Sequence, residues 1–576
     1  MEQILLLDLS IIIIGATVLA IIAKYLKQPP ILAYIISGLA IGPFGLKLIT
    51  DTNLVQNIGE IGIALLLFVV GLELSIERLK KVGTKAAAIG LIEVLIITAI
   101  GIAISLFFGF KYIEGMYIGL VLAFSSTLVV IKLLSDKREL DTLHGRIMLG
   151  ILLVQDIIVI VAISILLNAE FSALGIASTL LYGLGLLALA MVLAKYFLPL
   201  FFKKIAESGE LLLLFSLSWC FIFAALAGFI GFSIVIGAFI AGLSLASFPY
   251  NFEIIGRIKP LRDFFVTIFF VTIGIQIIPT IDVNLVVPLA TFLIIVLILK
   301  PIIISLIVSI FKYTQRTAFL SGFGLAQTSE FSIILAMQGV LLGHISNNIL
   351  SVVIILTAAT MLISTYYMKY SSKLYHIVAK NLLFFNKNKS FELDNAPKEL
   401  KDHIIVLGVD RTGRKIVDTL IELKHKIIIV DYNPEVIHTL IERGINCICG
   451  DAEDIEILDR LNLKEAYAVI STIPETDIND FIIKYMKKEN YRALFFSVAD
   501  DITDALKLYE KGADYILLPQ LLAGEKISDI IRHFNKREII DILRIKQFNE
   551  LEKLRERELL EKYAPKILKF QDKFHQ

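Results

Sequence analysis

Thirteen apolar segments precede residue 372, at roughly 4–23, 30–46, 54–76, 86–110, 115–135, 147–168, 172–199, 211–229, 231–247, 264–280, 284–311, 317–342 and 347–370. A helix needs about 20 apolar residues to cross a bilayer's hydrocarbon, and most segments reach that length, so the pattern predicts thirteen transmembrane helices. The first carries Asp8, lacks a basic start and shows no cleavage site, so it is expected to be a retained helix and not a signal peptide. With the N-terminus outside, the inner short loops hold seventeen basic residues, among them Arg78, Lys80, Lys81, Lys203 and Lys204, against Lys47 and Lys111 on the outer side. That asymmetry fixes the orientation by the positive-inside rule, and an odd number of spans delivers the C-terminal part to the cytoplasm. The expected location is the cell membrane.

Beyond residue 372 the pattern changes. A polar linker over 373–400, with Asn386 to Lys389 and Asn395 to Lys398, leads to alternating strands and helices over 401–535 and a charged helical tail over 536–576. His403 to Leu407 reads as a strand, followed by the turn Gly408-Val409-Asp410-Arg411-Thr412-Gly413 and a helix. Lys426 to Val430 reads as a second strand ending in Asp431, and further strands fall near 446–449, 467–471, 493–498 and 514–518. This is a Rossmann-like βαβ pattern, with Asp431 placed 18 residues after Gly413 to bond a ribose hydroxyl. Asp410 stands where the fingerprint has its middle glycine; a carboxylate there caps the helix but repels a pyrophosphate lying against the turn. The candidate nucleotide residues are therefore Gly408, Asp410, Arg411, Gly413, Asp431 and Asp451, and an adenine mononucleotide (AMP or ADP) fits in preference to NAD(H). A purely structural domain without ligand is the other reading.

At 576 residues, 57% hydrophobic and a mean hydropathy of +0.78, the chain is an integral membrane protein. Its 55 basic and 54 acidic residues concentrate in loops and the C-terminal third, which argues against a nucleic-acid partner. Cys220, Cys447 and Cys449 have neither metal nor disulfide spacing, so no structural metal is expected.

The apolar half contains a repeat. Leu66 to Leu72 matches Phe269 to Ile275, glycine on glycine, at an offset of 203 (274 minus 71), and the same offset carries Ala123-Phe124-Ser125-Ser126-Thr127 onto Ala326-Gln327-Thr328-Ser329-Glu330. Helices one to six and eight to thirteen thus form two halves around a seventh, and seven spans between equivalents give the halves opposite topology. Inverted repeats are a transporter signature. The Ser125-Ser126-Thr127 and Thr328-Ser329-Glu330 clusters fall inside the fifth helix of each half. They read either as discontinuous helices or as hydroxyls bonded back to their own helix carbonyls.

Asp156 is the tenth residue of the apolar run Ile147 to Leu167, beside Gln155. A carboxylate at bilayer depth costs at least about 2.5 to 3.5 kcal/mol, so it reads as a proton or cation group on a pathway, with a structural acid as the bland alternative. The repeat puts Ala359 at the equivalent position, so one half alone binds the ion. Lys300, before Pro301, is expected either to pair with Asp156 or to snorkel toward the cytoplasm. Glu93, Glu60, Glu73 and Asp8 read as interfacial or structural, and Glu330 as a brace for the crossing.

Lys27 to Tyr34 with Gly42-Pro43, Leu66 to Leu74, Gln155-Asp156, Gly237 to Gly242 and Ala326 to Phe331 together resemble the Kef-type branch of the monovalent cation:proton antiporters. The resemblance implies a NapA/Kef-like fold of thirteen helices in a dimerisation part and a moving part, and a homodimer working by elevator-like exchange. It also implies Asp156 as the shared cation and proton carboxylate, Gln155 as its neighbour and Lys300 near them. A Gln-Asp pair goes with potassium in that superfamily, so K+/H+ exchange is expected, with Na+/H+ exchange on the same fold as the alternative. Ser125, Ser126, Thr127, Thr328, Ser329 and Glu330 complete the expected ion site. The soluble part, including Gly450-Asp451-Ala452, resembles the TrkA-type (RCK) regulatory domain. The loop Ser247 to Asp263 lacks the acidic cluster of glutathione-gated members. A gated channel would need a carbonyl-lined filter and a membrane-anchored oxidoreductase a substrate domain; the sequence offers neither, and no enzyme activity is expected.

Overall fold

The computed structural model describes residues 2–26, 28–43, 45–49, 53–73, 76–137, 139–140, 142–166, 173–198, 208–230, 234–246, 251–276, 283–379, 400–409, 411–488, 492–532, 540–549 and 552. The chain divides into a helical unit and a C-terminal unit. In the first, the helices are α1 Glu2–Tyr25, α2 Pro30–Ile41, α3 Asn53–Glu73, α4 Ile76–Phe107, α5 Tyr112–Ala123, α6 Thr127–Asp136, α7 Leu143–Leu166 and α8 Ala173–Val192. They continue with α9 Gly209–Phe229, α10 Ile234–Leu245, α11 Asn251–Gln276, α12 Val283–Ile310, α13 Gln315–Gly324, α14 Glu330–Leu341, α15 Asn347–Lys369 and α16 Ser371–Ala379. Eleven of the thirteen predicted segments each lie mainly on one of these helices, and two cover a pair, 115–135 with α5 and α6 and 317–342 with α13 and α14. Among the described residues, seven helices are long and apolar enough to cross a membrane by length and composition. The helix α16 enters the stretch predicted as linker.

Two predicted crossings are interrupted where the hydroxyl clusters lie. Between α5 and α6 the backbone leaves the helix at Phe124, and Ser126 starts the next half, its hydroxyl accepting from Val129 N at 3.3 Å. Between α13 and α14 the same occurs over 325–329, where Ser329 accepts from Phe331 N at 3.1 Å. The two capping serines are 203 residues apart (329 minus 126). Neither break contains a glycine or proline; a serine cap on each half-helix supplies the partner for an orphaned N–H instead. Of the two readings of the clusters, the discontinuous helix is the one observed.

Glycines set the closest helix contacts. A Cβ on Gly274 of α11 would run into the backbone oxygen of Ile35 on α2, and one on Gly38 into Val271 O. On the other pair, Gly71 of α3 faces Phe239 O of α10, and Gly242 of α10 faces Phe68 O. Gly71 and Gly274 are 203 apart, Gly38 and Gly242 204 apart (242 minus 38), so the two contacts occupy corresponding places in the two halves. The obstacle in each case is backbone, which cannot rotate away. Gly274→Ala is expected to lower stability by about 1 to 3 kcal/mol or more, read as a lower melting temperature of the purified protein in detergent.

In α12 a π turn over Ile295–Leu299 precedes Lys300 and Pro301. Proline has no N–H to continue the ladder, and the widened turn absorbs that loss without ending the helix. Lys300 is thereby held inside the unit, fully buried. At the far end of α6, outside the membrane-length spans, Glu139 accepts from Lys137 Nζ at 3.1 Å and meets His144 Nε2 at 3.3 Å. Burial alone would raise the Glu139 carboxyl, but the bonds and charges of His144 and Lys137 outweigh it and hold the group below the ordinary carboxylate range.

The C-terminal unit is a six-stranded parallel sheet, β1 His403–Leu407, β2 Ile427–Asp431, β3 Cys447–Cys449, β4 Ala466–Ser471, β5 Leu494–Val498 and β6 Tyr515–Leu517, in the order β3-β2-β1-β4-β5-β6. Alternate residues of the same strands fill two cores: Ile405, Leu407, Ile428 and Val430 on one face, Ile404, Val406, Ile427 and Ile429 on the other. A sheet covered on both faces needs strands that are apolar throughout, which is why these read as continuous runs. Helices α17 Arg411–Glu422, α18 Pro434–Glu442, α19 Ile455–Arg460, α20 Thr476–Lys488 and α21 Ile502–Lys511 connect them, and α22 Pro519–Arg532 follows the last strand. Cys447 is buried in β3, which pushes its thiol up to about 11 and leaves it inert near neutrality.

Candidate functional site

Asp156 lies in the middle of α7, 8% exposed. Its carboxylate accepts the Thr127 hydroxyl, at 3.1 Å on Oδ2 and 3.3 Å on Oδ1. Thr127 is the first residue of α6, so the acid faces the positive end of a half-helix created by the break. The charges of Glu330, first residue of α14, and of Glu73, last of α3, act on Asp156, and Glu330 also lies against the Ser126 hydroxyl. Arg262 balances Glu330 from α11 while bonding Asp263 at 2.6 and 2.9 Å. Among the described residues no basic group forms an ion pair with Asp156. A nearly sealed carboxylate with one hydroxyl donor, a helix N-terminus and no fixed counter-ion is chemically able to hold either a small cation or a proton.

Lys300 belongs elsewhere. Its ammonium donates to Ala123 O at 2.7 Å and to Leu122 O and Gln327 O at 3.2 Å, and its nearest carboxylate is Glu93 Oε1 at 3.9 Å. The expected Lys300–Asp156 pair is therefore corrected, and so is the snorkelling alternative, because the ammonium is fully buried. Glu93, read from sequence as interfacial or structural, sits completely buried in α4 and accepts from Gln155 Nε2 at 2.7 Å. Gln155 also donates to Ala123 O at 3.3 Å and accepts from Ser125 N at 2.8 Å. Its side chain thus faces the break and not the neighbouring acid.

The other expected ion-site residues divide by contact. Thr127 touches Asp156, the charge of Glu330 acts on it, and Ser126 lies against Glu330. Ser125 bridges the breaks by donating to Leu325 O at 3.0 Å. Thr328 is held by α15, its N–H on Thr360 Oγ1 at 3.2 Å and its hydroxyl on Thr357 Oγ1 at 3.0 Å, and Ser329 is a cap. In the second half the Thr360 hydroxyl takes the Thr328 N–H as Gln155 takes that of Ser125 in the first, and the position equivalent to Asp156 is Ala359. Of the two places the sequence allowed Glu93, the structural one is observed; Gln327 was missed, its amide is buried with both polar atoms unbonded, and its place directly before the second cluster was the available signal.

In the C-terminal unit, Gly408 has a φ of +82° at the end of β1, a conformation that favours glycine. A Cβ on Gly413 would collide with Gly408 O at 2.5 Å, so α17 approaches the turn as the fingerprint requires. Asp431 accepts from Val409 N at 2.7 Å and Asn433 N at 2.8 Å. Its carboxylate thus secures the turn. Asp451 accepts from Glu453 N at 3.0 Å. Asp410 and the side chain of Arg411 lie outside the described residues. The crevice beyond the ends of β1 and β4, where the strand order reverses, is bordered by Gly408 and Thr472, bonded to each other at 2.9 Å.

Interrupted helices around a buried acid, joined in one chain to a doubly wound domain, define a membrane carrier with a nucleotide-type domain. Residues 11–369 match the family described as sodium/hydrogen exchanger, transmembrane, and the chain belongs to that family; residues 404–519 match the TrkA-N domain. The family is one of transporters and not of enzymes. "K(+) efflux antiporter 5" of Arabidopsis thaliana is 31% identical over 62% of this chain and 65% of its own length, so the chain spans just under two thirds of that relative. "Putative cation/proton antiporter YbaL" of Escherichia coli (strain K12) is 26% identical over 88% of this chain and 94% of its own. "Glutathione-regulated potassium-efflux system protein KefC" of Klebsiella pneumoniae (strain 342) is 28% identical over 88% and 81%.

Proposed function

We propose that the chain exchanges a monovalent cation, potassium in the first place, for protons, with Asp156 as the group that both occupy in turn. The observation that carries this reading is the Asp156 carboxylate, nearly sealed, bonded to Thr127 and without a basic partner. Thr127 and Ser126 orient the site at the half-helix end, and Glu330 adds negative charge beside it. Thirteen crossings in inverted repeats, with the N-terminus outside and the C-terminal unit in the cytoplasm, give the alternating access that exchange requires; the corresponding breaks and glycine contacts support that reading. A homodimer with a dimerisation part and an ion-binding part that moves as an elevator follows from the Kef-type resemblance. Sodium is the second reading, favoured by the printed description of the family. Proteoliposome exchange followed with a pH dye at clamped membrane potential tests both: potassium is expected to drive proton movement above sodium and lithium, and the reverse order would assign sodium.

The C-terminal unit is assigned an adenine mononucleotide, AMP or ADP in preference to NADH, as the regulatory ligand. The positive-φ turn at Gly408 and the Asp431 carboxylate support it. Asp431→Ala in the full chain is expected to weaken AMP binding by roughly 1 to 3 kcal/mol, the value of a charge-assisted bond, as read by calorimetry. NADH binding more tightly than AMP would reverse the preference.

A further inference from the structure

The group in the membrane unit that exchange at Asp156 leaves unused is a buried charge pair. Glu93 and Lys300 are both fully buried, and together they carry no net charge. We propose that Glu93 is a positioning residue for exchange: with Lys300 and Gln155 it forms a neutral brace that fixes the ends of both interrupted crossings beside, but apart from, the Asp156 carboxylate. The inference rests on the reading of Asp156 as the cation group.

The chemistry of the three side chains dictates the arrangement. A carboxylate accepts and cannot donate, so Glu93 Oε2 selects the NH2 end of Gln155, 2.7 Å away. The other end of the amide is thereby turned onto the Ser125 N–H, which the break leaves without a helical partner. Lys300 completes the brace from α12. It donates to the carbonyls of Leu122 and Ala123, at the negative end of α5, and to Gln327 O in the second break, so one ammonium joins both interruptions. Glu93 is the counter-charge that lets this ammonium stay charged in a sealed site without drawing on Asp156. The charged groups acting on Asp156 are instead the acids Glu330 and Glu73.

Three variants test this in proteoliposomes: Glu93→Gln, Lys300→Gln and the double. Glu93→Gln leaves an unmatched cation near the site and is expected to raise the half-saturating potassium concentration by about tenfold, the scale of one unscreened charge at several ångströms in a partly polar interior. Lys300→Gln leaves an unmatched anion and moves it the opposite way. The double variant restores neutrality and returns it to within about threefold of wild type. A role in packing alone predicts the same direction for both single variants and the worst behaviour for the double, which would overturn the proposal, as would an unchanged Glu93→Gln. Where a single variant fails to fold, size-exclusion profiles decide: the double must recover monodisperse protein that the single loses, and failure to do so also overturns it. Exchange surviving in Asp156→Asn would remove the underlying reading; a dead Asp156→Asn with an unaffected Glu93→Gln would remove only the brace.

Discussion

Asp156→Asn is expected to abolish exchange down to the leak of protein-free liposomes while leaving the protein folded. The amide matches the carboxylate in shape, and its oxygen still accepts the Thr127 hydroxyl that Asp156 accepts at 3.1 Å. What disappears is the charge, and with it both the attraction for a cation and the ability to bind and release a proton. Removing a buried charge also relieves an insertion cost of at least about 2.5 to 3.5 kcal/mol, so the variant should melt no lower than wild type. Size-exclusion and thermal unfolding in detergent, run beside the transport assay, separate lost chemistry from lost structure. Exchange at the wild-type rate in the variant would show that the carboxylate is structural.

Lys300→Gln is expected to have the largest effect on stability. The ammonium makes three bonds to carbonyls at 2.7 to 3.2 Å and is the only basic group paired with Glu93 among the described residues. A glutamine amide is shorter and uncharged, so the carbonyl oxygens at the end of α5 and in the second break lose their donor. Glu93 becomes a buried charge without compensation. Breaking a buried pair by removing one partner costs about 3 to 5 kcal/mol, because the remaining ion keeps its desolvation penalty. The measurement is the melting temperature of the detergent-solubilised protein. A variant that melts with wild type would mean that water or a side-chain rearrangement reaches Glu93 easily, and that the interior at this level is not dry.

The helices and strands were legible because each leaves a one-dimensional trace. Membrane-length apolar runs, the β-branched run His403 to Leu407 and the glycine turn after it all record local structure directly. The interruptions were half legible: hydroxyl clusters inside apolar helices marked them, but two readings fitted until the serine caps at Ser126 and Ser329 were seen. Lys300 was the miss. Its cost was legible from sequence, but its partner depends on which helix packs beside α12, and neither hydropathy nor spacing encodes that. For Glu93 the sequence left an interfacial or a structural place open, for the same reason. It stands well inside the apolar span Thr84–Phe107, yet only the packing of α4 brings it to Gln155. Asp156 was legible because burying an acid is costly wherever its neighbours lie, whereas the division of the surrounding hydroxyls into one that touches it, Thr127, and others that secure the breaks required coordinates.

The central claim, one carboxylate shared by cation and proton, is tested most directly by the potassium dependence of exchange measured at a series of pH values in the wild-type protein. Competition for Asp156 predicts that the half-saturating potassium concentration falls about tenfold for each unit rise in pH while the acid is mostly protonated, less steeply as it titrates, and levels off once it is fully ionised. A half-saturating concentration that does not change with pH across the active range would contradict the account, because proton and cation would then occupy separate groups.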